Sequence, residues 1–341
     1  DSRCACPRAS AVAPGLTSVE AKPGAARPSG CAVPALPSPT YRTRYAPSPT
    51  GEMHLGHART HLVAWLRARA AGGRIVMRIA DLDPPRVRPG AADAFLRDHE
   101  WLGLDWDEGP VFQSAPERQA AYAEALVALA AAGHLYPCTC SRREWMELAS
   151  APHGEGPPRY PGTCRAGPSH PERPAALRFR LHGPTPRFDD LVFGPSGGTD
   201  EGDFVVRRAD GLVAYQLAVV VDDRDQRITE VVRGADLLAA TGLQRALFAA
   251  LGAPAPAALH VPLVLGKDGE RLAKRNGARG VRRYREEGLE AEELLGLLGA
   301  SLGLVPPGSR APRAELLERS ETLVEGLPRR PLTLTPERGD A

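Results

Sequence analysis

Residues 46–57 read Ala46-Pro-Ser-Pro-Thr-Gly-Glu-Met-His-Leu-Gly-His57. Before them, Tyr41-Arg-Thr-Arg-Tyr-Ala46 reads as a short strand, ended by Pro47-Ser-Pro-Thr-Gly51. After them, Leu62, Trp65, Leu66 and the Ala-rich stretch to Ala71 read as a helix closed by Gly72-Gly73. Residues 74–79, Arg-Ile-Val-Met-Arg-Ile, read as a second strand. Strand, turn, helix and strand in this order predict a parallel α/β unit. A strand-to-helix turn points backbone N–H groups outward and favours an anion there. Gly56 lets a ligand approach the backbone, and His54 and His57 are candidates to bind phosphate oxygens. By itself the pair also fits a Pro/Gly turn carrying two surface histidines.

Residues 91–102 and 115–132 read as further helices, the second Ala/Leu-rich and closed by Gly133. The rhythm breaks over residues 136–182, which hold several Pro and few long apolar runs. Residues 204–206, 213–221 and 228–232 return to strand character, and the apolar run through 213–221 ends in two acids, Asp222 and Asp223. Then a helix at 241–251, a strand at 261–265 and a polar loop at 266–280 are predicted, followed by helices at 289–298 and 314–324. Residues 1–40 are Pro/Ala/Ser/Gly-rich with few large apolar groups and are expected to be a disordered tail. No internal repeat is visible.

The chain has 341 residues, with 35 Gly, 34 Pro and a formal net charge of +2, which excludes a globally basic, polyanion-coating protein. No run of about 18 apolar residues exists, and the N-terminus lacks a charged start followed by an apolar core, so neither a transmembrane helix nor a secretory signal is expected. Six Cys in a chain of this length are weak grounds for a disulfide framework, and a cytoplasmic location with reduced thiols is expected. Lys occurs only at Lys22, Lys267 and Lys274; the other basic residues are Arg. Of the last two lysines, Lys267 precedes and Lys274 lies within a second constellation, Gly269-Glu-Arg-Leu-Ala-Lys-Arg-Asn276. A lysine on such a loop can neutralise charge on a transferred phosphoryl group. A third constellation is Cys138-Thr-Cys140 with Tyr160-Pro-Gly-Thr-Cys164, three thiols that suggest Zn²⁺. From spacing alone the fourth ligand is open between His153, His170 and Tyr160.

His-Leu-Gly-His early and a Lys loop late resemble the paired signatures of class I aminoacyl-tRNA synthetases. Arg44-Tyr-Ala-Pro-Ser-Pro-Thr-Gly51, Leu55-Gly-His-Ala-Arg-Thr60, Arg78-Ile-Ala-Asp-Leu-Asp83, residues 101–110 (Trp-Leu-Gly-Leu-Asp-Trp-Asp-Glu-Gly-Pro) and Val231-Val-Arg-Gly-Ala-Asp-Leu237 are similar to the glutamyl-tRNA synthetase lineage. Only 66 residues follow Arg275, too few for the helical anticodon-binding region of the full-length members. The shorter form, with Asp83-Pro-Pro-Arg86 and Tyr215-Gln-Leu-Ala-Val-Val-Val-Asp-Asp223, resembles the glutamyl-queuosine tRNA(Asp) synthetase family.

The resemblance implies an α/β, Rossmann-like class I catalytic domain with a zinc-containing insertion and no anticodon-binding domain. The implied boundaries are a disordered tail at 1–40, catalytic halves at 41–135 and 183–280, a zinc-binding insertion at 136–182 and a short C-terminal helical segment at 281–341. It implies activation of glutamate by ATP with Mg²⁺, and transfer to the queuosine base in the anticodon of tRNA(Asp). His54, His57 and Lys274 are the implied catalytic residues, and His54, Gly56, His57 and Lys274 the ATP-binding ones. Arg44, Tyr45, Ala46, Pro47, Ser48, Tyr215 and Arg233 are the implied glutamate-binding positions. An Arg suits a bidentate grip on a carboxylate. The family pattern, Cys-x-Cys then Tyr-x3-Cys, implies Tyr160 as the fourth ligand of one structural Zn²⁺ with Cys138, Cys140 and Cys164. A monomer without membrane association is expected.

Three positions depart from the family pattern. Ala80 stands where a Glu usually holds the substrate ammonium, Arg271 where Lys is common, and Ala273 where Ser is common. Loss of the Glu predicts binding weaker by about 1.5–3 kcal/mol. The alternatives are a truncated glutamyl-tRNA synthetase charging the tRNA 3′ end, a non-catalytic RNA-binding paralogue, for which Ala80 argues, and a non-tRNA adenylyltransferase, which leaves Arg44, Tyr215 and Arg233 unexplained.

Overall fold

The computed structural model describes residues 40–141, 143–144, 159–266 and 280–334. Strand β1 (Arg42–Tyr45) leads through the Pro-rich turn into helix α1 (Leu55–Ala70) and back to β2 (Arg74–Ile79), which pairs parallel with β1 in the register Arg44–Val76. Helix α2 (Ala91–Leu102) and β3 (Glu108–Phe112) follow, with β3 parallel to β2. Helix α3 (Pro116–Ala131) then delivers the chain to β4 (Leu135–Cys138), β5 (Ala176–Phe179), β6 (Phe188–Asp190), β7 (Gly194–Ser196) and β8 (Phe204–Arg207). Next come α4 (Tyr215–Asp225), β9 (Glu230–Gly234), α5 (Leu238–Ala250), β10 (Ala257–Val261) and β11 (Val264–Leu265). The last elements are α6 (Val281–Glu286), α7 (Ala291–Ser301), α8 (Arg313–Glu318), α9 (Leu323–Gly326) and β12 (Leu332–Thr333).

Three of the sheets position the site. One is β1-β2-β3, all parallel; another is β7-β6-β10-β9; the third, antiparallel, is β4-β5-β8. The first two meet along β1 and β9, where Thr229 N donates to Arg42 O at 2.9 Å and Arg42 N donates to Thr229 Oγ1 at 2.8 Å. The chain leaves β1 toward one side and reaches β9 from the other. A crevice therefore opens beyond the carboxyl ends of these strands, the usual ligand position in a parallel α/β sheet. The antiparallel sheet carries residues 136–138 and 176–179 of the region whose composition broke the α/β rhythm.

Helix α1 is buried along most of its length, with Leu62, Leu66 and Trp65 in the largest core cluster. The same cluster includes Leu294, Leu298 and Leu316 of α7 and α8. Arg59 crosses this packing fully buried. Its guanidinium donates to Pro262 O and to Ser301 Oγ and O, and burial lowers its pKa to about 10. A second core lies among α3, α4 and α5, around Tyr122, Leu129, Leu217, Val221 and Leu247.

Residues 213–221 correct the sequence reading: they are not a strand but mostly helix α4. Leu217 through Val221 are all buried, so the segment shows no polar face. A short apolar run cannot be assigned to strand or helix by periodicity, and tertiary packing against α3 and α5 decides. Helix α1 begins at Leu55, seven residues before the first apolar residue that marked it in sequence. The strand expected at 261–265 is displaced into β10 and the two-residue β11, and the helix expected at 314–324 is divided between α8 and α9.

Candidate active site

A cleft of about 770 Å³ lies over the carboxyl ends of β1 and β9 and the N-terminus of α1. Its walls include Ala46, Pro47, Ser48, Gly56 and Ala80. His54 is the N-cap of α1; its Nδ1 accepts from the His57 backbone N–H at 3.2 Å. With Nδ1 as acceptor, the neutral ring carries its proton on Nε2 and offers that N–H as a donor. The His54 and His57 rings stack with centroids 3.7 Å apart. Gly56 permits this, because a Cβ there would sit 3.0 Å from His54 Cε1. The turn thus joins imidazole N–H groups to the positive end of a 16-residue helix, a setting for phosphate oxygens.

Two buried arginines, Arg44 and Arg233, add a second set of donors for anionic groups. Arg44 donates from Nε to Asp223 Oδ1 at 3.2 Å and from Nη1 to Val232 O at 3.1 Å. Asp223 also accepts from Arg78 Nη2 at 2.6 Å, and all three side chains are buried. Burial raises the Asp223 pKa, but Arg78 and Arg44 outweigh it and hold the group below the usual carboxylate range. Asp222 beside it accepts from Gln113 Nε2, Arg118 Nε and Tyr122 OH. The two acids that end the apolar run are therefore the anchor of the arginine cluster.

Arg233, on β9, donates from Nε to His260 Nε2 at 3.1 Å and from Nη2 to Thr241 Oγ1 at 2.7 Å. His260 Nδ1 faces Asp190 Oδ2 at 2.6 Å. Because Nε2 accepts from Arg233, the His260 proton sits on Nδ1 and is donated to Asp190. Burial lowers the His260 pKa, which keeps this neutral tautomer. Arg233 Nη1 is buried with no hydrogen-bond partner among the described residues. Arg44, Arg233 and the half-exposed Tyr215 at the start of α4 all line the same cleft. A carboxylate entering it would supply the acceptor that Nη1 lacks.

Of the residues singled out in sequence, Arg44, Ala46, Pro47, Ser48, His54, Gly56, His57, Tyr215 and Arg233 are brought to this one cleft. Tyr45 is not. Alternation along β1 turns its ring into the core, 5.0 and 4.7 Å from the His61 and His99 ring centroids. Lys267, Arg271, Ala273 and Lys274 lie outside the described residues. Sequence reasoning missed His260, Asp190, Thr241 and Gln113. Nothing local marks them, since each acts through a residue distant in the chain.

Cys138, Cys140 and Cys164 come together, their Sγ atoms all within 4.8 Å of one another. Tyr160 OH sits among them, 3.3 Å from Cys138 Sγ and 3.7 Å from Cys140 Sγ, and accepts from Cys164 N at 2.9 Å. Three thiolates at the corners of a tetrahedron about Zn²⁺ lie about 3.8 Å apart at ordinary Zn–S lengths, so the donor set fits a metal such as zinc. The His170 ring is turned toward Glu144 and Glu172 instead, and His153 lies outside the described residues. Arg178 covers the Tyr160 ring at 3.6 Å, and Asp203 ties the knuckle to the sheet through Tyr136, Arg165 and Leu181 N. Cys4, Cys6 and Cys31 lie outside the described residues.

The parallel sheet, the histidine turn and the buried arginines define a class I aminoacyl-tRNA synthetase catalytic domain, and residues 40–321 match the family tRNA synthetases class I (E and Q), catalytic domain. The chain belongs to that family, and within it to the glutamyl-Q tRNA(Asp) synthetases. It is 46% identical over 312 residues to the glutamyl-Q tRNA(Asp) synthetase of Symbiobacterium thermophilum, covering 86% of this chain and 96% of that one. It is 52% identical over 260 residues to that of Deinococcus radiodurans, covering 73% and 84%. Among solved structures, a glutamate tRNA ligase from Elizabethkingia meningosepticum in complex with its amino acid superposes with a TM-score of 0.73 at 25% identity, over 87% of this chain and 67% of that chain. No helix among the described residues is long and apolar enough to cross a membrane.

Proposed function

We propose that this chain activates glutamate with ATP and transfers it to the queuosine base of tRNA(Asp). The observation that carries this reading is one cleft lined by two buried arginines and by the histidine turn at the N-terminus of α1. The phosphates of ATP, with their Mg²⁺, lie over residues 48–57, where the His54 Nε2–H and the helix end oppose their charge. Arg44 and Arg233 hold the glutamate side-chain carboxylate, with Ser48 and Tyr215 beside it. An oxygen of the α-carboxylate attacks the α-phosphorus in line. The bond from phosphorus to the bridging oxygen breaks, and pyrophosphate leaves with its charge met by Lys274. A hydroxyl of the queuosine cyclopentenediol then attacks the adenylate carbonyl, AMP departs, and the hydroxyl proton passes to solvent. Positioning and electrostatics suffice, without a covalent enzyme intermediate.

In this reading Cys138, Cys140, Cys164 and Tyr160 hold one structural Zn²⁺, which stiffens the insertion 136–182 between catalytic halves at 41–135 and 183–280. The chain acts as a cytoplasmic monomer. Two assays test the proposal. Glutamate-dependent ATP–pyrophosphate exchange should proceed without tRNA; its absence would leave a binding protein. Labelled glutamate should then transfer to queuosine-containing tRNA(Asp) and not to the queuosine-free form. Glutamate on the 3′-terminal ribose would favour a 3′-end synthetase instead.

A further inference from the structure

Below the histidine turn a second pair of imidazoles runs from the cleft into the core. His99 is fully buried, and its Nδ1 lies 2.7 Å from Phe95 O. A carbonyl oxygen can only accept, so the His99 proton sits on Nδ1 and its Nε2 carries a lone pair. That Nε2 lies 2.9 Å from His61 Nδ1. His61 must therefore donate from Nδ1, and its own Nε2 is left as a lone-pair acceptor. His61 lines the cleft, is 8% exposed, and its Nε2 has no hydrogen-bond partner among the described residues. Burial lowers the pKa of both rings, to about 4 for His99 and well below the usual value for His61, so the neutral tautomers persist at neutral pH. The His57 ring stacks above His61 at 6.4 Å, and Arg44 lies near enough to disfavour a charged His61 further.

We infer that His61, with its tautomer fixed by His99, is a specificity-determining residue that accepts a hydrogen bond from an N–H or O–H donor of a bound substrate. The relay from the Phe95 carbonyl makes His61 the opposite of His54. One presents an N–H suited to phosphate oxygens; the other presents a lone pair that phosphate oxygens cannot use. The donors brought by the two substrates of the exchange reaction are the glutamate ammonium and, on ATP, the ribose hydroxyls and the adenine amino group. The Ala80 side chain supplies no acceptor on its wall, which favours the glutamate ammonium as the donor that His61 receives. The inference rests on the proposed binding of glutamate and ATP in this cleft.

The experiment compares wild type, His61→Phe, His61→Gln and His99→Phe in pyrophosphate exchange, alongside ¹⁵N NMR of the imidazoles in ligand-free wild type. Both His61 and His99 should be Nδ1-protonated by NMR, and the His61 Nε2 resonance should shift on adding glutamate or a non-hydrolysable ATP analogue. His61→Phe should raise one KM about tenfold with kcat little changed. A rise in the glutamate KM identifies the ammonium as donor; a rise in the ATP KM identifies a donor on the nucleoside of ATP, its ribose or its adenine amino group. His61→Gln, which restores an acceptor near the Nε2 position, should recover most of the loss. His99→Phe, which frees the tautomer, should fall between. Nε2-protonated His61, or exchange-active variants with both KM values unchanged, would overturn the inference while leaving the function intact. A wild type with no exchange would refute the function, and a His61 resonance unmoved by either ligand would refute the inference separately.

Discussion

Asp223→Asn removes the one negative charge shared by Arg44 and Arg78. The wild-type carboxylate lies 3.2 Å from Arg44 Nε and 2.6 Å from Arg78 Nη2, with the side chains 3%, 4% and 0% exposed. Breaking a buried pair by removing one partner costs about 3–5 kcal/mol, because the remaining charge stays desolvated. The lower end applies here: Arg78 keeps Gln226 Oε1 at 3.0 Å and Asp222 at 3.6 Å, and Arg44 keeps Val232 O. A loss of about 3 kcal/mol in a chain of this size corresponds to a melting temperature lower by roughly 4–5 °C. The effect on substrate follows from the same geometry. Arg44 and Arg78 both donate to Asp223 Oδ1, and an asparagine Oδ1 can accept from both but without the charge, so Arg44 is held less firmly against the glutamate carboxylate. One charge-assisted hydrogen bond is worth about 1.5–3 kcal/mol, which is roughly a 10- to 150-fold rise in glutamate KM. The assays are differential scanning calorimetry and pyrophosphate exchange with glutamate varied, ATP saturating. Asp225→Asn is the control: that carboxylate is 28% exposed and pairs at the surface with Arg118 and Arg224, so the change should cost no more than about 1 kcal/mol. If Asp223→Asn melts with wild type and keeps the wild-type KM, the anchoring role assigned to the acid is wrong.

Asp98 gives a pH prediction of the opposite sign to ordinary acid denaturation. It is 1% exposed, neither oxygen accepts a hydrogen bond among the described residues, and burial, opposed mainly by Arg285, raises its pKa to about 6. The folded carboxyl holds its proton more tightly than the unfolded one, so stability is lost as pH rises from about 4 to 6, by up to about 3 kcal/mol. Asp98→Asn should therefore stabilise the protein at pH 7 and change little at pH 4 in urea unfolding; destabilisation at pH 7 refutes this. His260→Leu should raise the glutamate KM about tenfold or more, since Arg233 Nε loses its acceptor, and should also destabilise by leaving Asp190 underpaired. Unchanged exchange kinetics would remove His260 from the support of Arg233. Purified protein should contain about one zinc per chain by atomic emission, and Cys140→Ser or chelation should release it and lower the melting temperature. Metal-free protein of unchanged stability would refute the zinc assignment.

The sequence by itself determined the α/β unit and the order of the chemistry along it. Pro47, Pro49 and Gly56 impose a turn, and the alternation of strand and helical segments around them admits a parallel sheet and little else. Clustered motifs made Arg44, Ser48, His54, His57, Tyr215, Arg233 and the three thiols legible, because their chemistry is concentrated within a few residues of each other or repeats a family pattern. Tertiary structure alone decided what those groups can do. Whether residues 213–221 form strand or helix depended on burial from all sides, which no period records. Tyr45 belongs to a site motif by its neighbours in the chain, yet the pleat of β1 sends its ring to the core. Proton positions on His54, His61, His99 and His260 follow from what each second nitrogen meets, and those partners lie from 3 to 70 residues away. A side chain's type is written in the sequence; whether it donates, accepts or carries charge is set by contacts that only the folded chain makes.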